Sequence, residues 1–80
     1  MEQLTLPNTT TFMAWFDPDR KYPLKRKVVD AMYRYQQKFG KPPTLILTHP
    51  EHVEEARLAT DILIEGRSYI GRNLFYVGEE

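Results

Sequence analysis

Pro23 to Phe39 reads PLKRKVVDAMYRYQQKF, and the period of its apolar residues decides the fold. Leu24, Val28, Ala31, Met32, Tyr35 and Phe39 recur at spacings of three and four, which places them on one stripe of an α-helix. Lys25, Arg26, Asp30, Arg34, Gln37 and Lys38 fall on the other side. Pro23 suits the first helical position, where no amide hydrogen is needed. Gly40 stands where helices commonly end in a left-handed residue, and Pro42-Pro43 forbid continuation.

Short apolar runs flank this helix. Thr10 to Phe16, TTFMAWF, lacks alternation and reads as a strand covered on both faces. Asp17-Pro18-Asp19 ends it, because proline removes a ladder donor. Thr44 to Thr48, TLILT, is a second strand. A short second helix follows in THPEHVEEA, where Thr48 and Glu51 have the spacing of a capping box. Its buried stripe is Val53, Ala56, Ala59 and Leu63. The last twenty residues read as β-rich, with Ile62–Glu65 expected to pair with Asn73–Val77 across a seven-residue loop. A tight type II′ turn at Gly71-Arg72 is the alternative.

The resulting order is β-α-β-α-β-β. It predicts an α/β (or α+β) two-layer sandwich, with a mixed four-stranded sheet and two helices mainly on one face. Residues 1–9 are expected to be a flexible lead-in, and residues 10–80 a single small domain. Helices on one face leave the other face bare, so Trp15, Phe12 and Phe75 become candidate interface residues in a homodimer.

Composition bounds the function classes. Eighty residues suffice for one domain, which buries roughly 60 % of the surface its unfolded chain exposes. There is no cysteine, which removes disulfides and thiolate metal sites and fits a cytoplasmic location. No apolar run approaches the ~20 residues of a membrane span, and the first residues do not read as a secretory signal. Net charge is zero, yet residues 1–41 carry eight Lys/Arg against four Asp/Glu, and residues 42–80 three against seven. The plain reading is attraction between halves or between molecules; the sharper one is a basic face for an anionic partner.

Loops that follow parallel strands gather at one sheet edge. Here they would bring together Asp17, Asp19, Arg20 and Lys21, then Thr48, His49, Glu51 and His52, then Gly66 and Arg67. His49 and His52, with Asp17 or Asp19, are candidate metal ligands; a helix cap at His49 and a solvated His52 are the plainer reading. Asp17-Pro18-Asp19 after an apolar strand resembles the DxD motif of haloacid dehalogenase-type phosphotransferases over five residues. Lys21 stands where that family expects Thr or Val, and turn chemistry accounts for both aspartates. No G-x-G-x-x-G, Walker motif or nucleophile elbow occurs, so neither a cofactor nor an enzymatic role has a supporting motif.

Five of the eleven basic residues crowd into Arg20, Lys21, Lys25, Arg26 and Lys27. Cations at a helix start oppose its dipole, and Asp17 and Asp19 would offset them locally. A phosphate or nucleic acid is the alternative occupant, with Arg34, Lys38 and Lys41 lengthening the track and Tyr22, Tyr33 and Tyr69 as stacking surfaces. The sequence pI of 6.7 lies far below that of dedicated nucleic-acid binders. The sequence therefore points to a small binding or interaction module that acts through self-association or a protein partner. The competing class is a small enzyme or metal-binding protein using the Asp17/Asp19/His49/His52 edge.

Overall fold

A computed structural model describes residues 3–5 and 11–79. Strands β1 (Gln3–Thr5) and β2 (Thr11–Phe16) precede helix α1 (Leu24–Phe39). Strand β3 (Leu45–Thr48), a 3-10 turn (Pro50–His52), helix α2 (Val53–Arg57), β4 (Leu63–Gly66) and β5 (Leu74–Gly78) follow. The expected strand and helix order is present, and the helices and sheet form two layers. One strand is added: Gln3–Thr5, assigned by sequence to the lead-in, pairs antiparallel with β2. The rest of the lead-in lies outside the described residues.

The five strands are ordered β1-β2-β5-β3-β4. β3 and β4, joined through α2, are parallel neighbours in the register Ile46↔Ile64. β2 and β3, joined through α1, also run the same way, but β5 lies between them and pairs antiparallel with both. The expected hairpin between the last two strands is therefore wrong. β5 skips β4 and fills the gap that the α1 crossover leaves, which satisfies its backbone groups on both sides. The turn expected at Gly71-Arg72 falls one residue later, at Arg72-Asn73, where the Leu74 amide donates to the Gly71 carbonyl at 3.4 Å and Asn73 takes the positive φ of 64°.

Helix α1 starts one residue later than expected. Pro23 is extended (φ −60°, ψ 141°) and caps from outside, its carbonyl accepting from the Arg26 and Lys27 amides at 3.0 and 3.1 Å. Gly40 closes the helix at φ 76°, its amide donating to the Gln36 carbonyl at 2.8 Å. The apolar stripe is buried as expected: Leu24, Val28, Ala31 and Tyr35 join the core, with Met32 and Phe39 packed against it. The second helix starts differently. Thr48 Oγ1 turns inward and donates to the Leu74 carbonyl, so His49 Nδ1 takes over the cap and accepts from the Glu51 amide at 3.0 Å. Gly66 lets this turn settle onto β4, since a Cβ there would sit 2.9 Å from Pro50 Cα.

Strand register sorts side chains onto two faces. Met13, Trp15, Ile46, Thr48, Ile64, Phe75 and Val77 share the face beneath the helices, where the core lies. The alternate residues form the opposite face. Leu63, expected on the stripe of the second helix, is on that opposite face and is 40 % exposed.

Candidate functional site

The ends of β2, β3 and β4 meet at one sheet edge, where the loops are stitched together by backbone bonds. The Asp17 amide donates to the Asn73 carbonyl at 3.1 Å, and the Arg67 amide to the Thr48 carbonyl at 2.9 Å. The carboxylates of this edge are occupied locally. Asp17 Oδ1 accepts from the Asp19 amide at 3.1 Å, and Asp19 Oδ1 from the Lys21 amide at 2.9 Å, two successive Asx turns. His49 and His52 lie with ring centroids 5.7 Å apart. The structure does not bring the two aspartates to them: among the described residues no group of three or more metal-type side chains converges. His52 Nε2 is buried without a partner. Burial pushes the His52 imidazole below its ordinary pKa, with His49 and Arg72 adding to the effect against Glu51 and Glu55.

The basic run divides into two kinds of residue. Lys27 is not on the surface: it is 3 % exposed, and its Nζ donates to Asn73 Oδ1 at 2.9 Å. A buried ammonium with one neutral acceptor is costly, and the Asn73 amide is what makes it tolerable. Asn73 reaches it from a left-handed backbone, which asparagine adopts more readily than most residues. The signal was present in the helix period, because Lys27 shares a row at i, i+4 and i+8 with buried Ala31 and Tyr35.

Arg20, Lys21, Lys25 and Arg26 are exposed. Asp17 and Asp19, expected to balance them, each accept from a loop amide and form no ion pair with them among the described residues. The proposed extension of the track is engaged within the chain. Arg34 lies over Trp15 at 6.0 Å from the ring centroid, Lys38 over Phe39 at 5.9 Å, and Lys41 pairs with Glu79. Tyr22 donates its hydroxyl to Asp30 Oδ2 at 2.8 Å, and the Tyr33 hydroxyl accepts from Gln37. Tyr69 is 76 % exposed.

The candidate interface residues also need correction. Trp15 and Phe75 are directly opposite each other on the helix-covered face, and Phe75 is fully buried. Phe12 lies on the other face but is 5 % exposed. The sequence reading missed the side chains that do line the uncovered face. These are Phe16 and Leu74 in one row, Ala14, Tyr76 and Leu47 in the next, then Leu45 and Leu63. Phe16 is 63 % exposed and the central residues are half-buried by their neighbours. Alternation would have found them only with the register in hand, since both parities of TFMAWF and LFYV are apolar.

No protein-family model, curated protein or solved structure matches this chain.

Two surfaces are chemically distinctive. One is the apolar sheet face. The other is a groove of about 300 Å³ between the start of α1 and the end of α2, lined by Pro23, Lys25, Arg26, Val29 and Ala59. The first can bury apolar area against a partner; the second combines an apolar floor with two cations. Among the described residues no helix is long and apolar enough to cross a membrane.

Proposed function

We propose that this chain is an interaction module that assembles with a second copy of itself, packing the uncovered faces of the two sheets together. The observation that carries the reading is the set Phe16, Leu45, Leu47, Leu63, Leu74 and Tyr76 on a face with no helix above it among the described residues. Strands ~4.8 Å apart with ~3.3 Å rise per residue give the five strands a flat footprint of roughly 350 Å² per copy. Two such faces bury about 700 Å², the size of a weak, concentration-dependent contact. Glu65 lies at the β4 edge of this face, so a charge sits at the rim and not at the centre.

The reading predicts a mass of twice 9.5 kDa in sedimentation equilibrium of the full chain at micromolar concentration. Phe16→Asp combined with Leu63→Asp, both at exposed positions, should return the monomer mass with the fold retained by circular dichroism. A monomeric wild-type chain across the concentration range would overturn it. The Asp17/Asp19/His49/His52 edge is not adopted as the site, because its carboxylates already serve loop amides and His49 caps the turn.

A further inference from the structure

We infer that the groove between α1 and α2 docks an acidic peptide segment of a partner protein, taking an apolar side chain on its floor and carboxylates at its rim. The surface is separate from the sheet face and does not depend on self-association.

The floor comes from Pro23, Val29 and Ala59. Val29 is 49 % exposed, and Leu58, next in sequence to the groove residue Ala59, is 76 % exposed. Val29 and its groove neighbours thus leave apolar surface open to a partner. Lys25 and Arg26 line the same groove. Neither makes an ion pair or side-chain hydrogen bond among the described residues.

The surroundings explain why the charge is unanswered. The first turn of α1 has no acidic residue. Asp17 and Asp19 face their own loop, and Asp30 accepts from Tyr22. Of the ion pairs among the described residues, only Lys41–Glu79 joins the basic residues 1–41 to the acidic residues 42–80. Lys25 and Arg26 are thus open to a complement from outside the chain, and its sign would be negative.

Groove chemistry selects among anionic partners. Unpaired bases bind by stacking on aromatic rings, and no aromatic side chain lines this groove. An apolar floor with flanking cations instead matches a segment in which apolar and acidic residues alternate. At about 300 Å³ the groove is at the lower end of the range for ligand pockets and can take side chains of an extended peptide.

The test is an amide-resolved NMR titration of the labelled full-length chain with a blocked peptide of sequence EELFEEL at low salt. The expected result is saturable shifts confined to Leu24–Val29 and Leu58–Ala59, an affinity that falls as salt rises, and at least tenfold weakening in Lys25→Ala/Arg26→Ala. Both side chains are exposed, so this variant should keep the wild-type spectrum elsewhere. The same shifts in the Phe16→Asp/Leu63→Asp variant would show that the groove works whatever the fate of the dimer. The proposal is overturned by silence at about 1 mM peptide. It is also overturned by equal binding of the peptide with every Glu replaced by Gln, or by unchanged affinity in the double variant. A short oligothymidine that shifts the same amides more tightly than the peptide would reassign the surface to nucleic acid.

Discussion

The two faces of the sheet are built from the same kinds of residue and meet different fates. Along β5, Leu74, Phe75, Tyr76 and Val77 are all apolar, yet Phe75 and Val77 are fully buried while Leu74 and Tyr76 are only half-buried. The difference is the layer above them: α1 and α2 cover one face, and among the described residues no helix covers the other. Hydrophobicity of a strand residue thus does not decide whether it belongs to the core of the monomer. What decides it is whether the chain has a second layer to place there, and an 80-residue chain with two helices has only one.

The largest expected effect breaks the covered face. Phe75→Ala removes a ring with no exposed surface and should cost about 3–5 kcal/mol. A domain of this size has a total stability of roughly 4–12 kcal/mol, so the urea midpoint should fall by about a quarter or more. Tyr76→Ser, one residue away on the open face, sharpens the contrast. It should cost about 1 kcal/mol in the monomer and far more in assembly. Chemical denaturation over a range of protein concentrations separates these terms, because only dimer stability depends on concentration. Equal costs for both variants at every concentration would mean that the two faces are equally covered.

The same contrast holds among the cations. Lys27 lies on the buried face of α1, whereas Lys25 and Arg26, two and one residues earlier, lie in solvent. Lys25→Ala should change stability by less than about 0.5 kcal/mol. Asn73→Gly keeps a backbone that accepts φ 64° but leaves the Lys27 ammonium without its acceptor, for a loss of about 1–3 kcal/mol. Asn73→Ala adds about 1 kcal/mol of left-handed strain to that loss. Urea midpoints of the three variants check the order; a harmless Asn73→Gly would mean that Lys27 finds another acceptor.

These comparisons also show what the sequence discloses and what it conceals. Helix α1 was legible from Leu24 to Gly40 because its 3.6-residue period, its closing glycine and the two prolines agree. The strands were legible as runs, within a residue or two. Their neighbours were not, because pairing is settled by which backbone edge remains open after both crossovers form. β5 therefore appeared as the partner of β4, when the open edges were those of β2 and β3. The facing of Trp15 and Phe75 was concealed for a related reason: a strand apolar at every position has no alternation to read. At the candidate site, His49 as a cap was within reach of the sequence, while the Asx turns that occupy Asp17 and Asp19 needed backbone geometry.

The smallest expected effect lies at His52, at the edge of the covered side. Burial of Nε2 without a partner, together with nearby His49 and Arg72, disfavours the imidazolium and holds its pKa below the ordinary 6.5; Glu51 and Glu55 oppose this without reversing it. Below pH 6.5 the unfolded chain therefore binds a proton at this residue more readily than the folded one does. The associated stability is complete above that pH and is lost as the pH falls through the lower folded value. Urea midpoints measured from about pH 7.5 to pH 5.5, above the ordinary carboxylate range of ~4, should decline for the wild type. In His52→Gln that decline should be shallower, since a side chain of similar polarity carries no proton through the window. Parallel profiles for the two proteins would place His52 in solvent, and the boundary between covered and open regions would move inward past the helix cap.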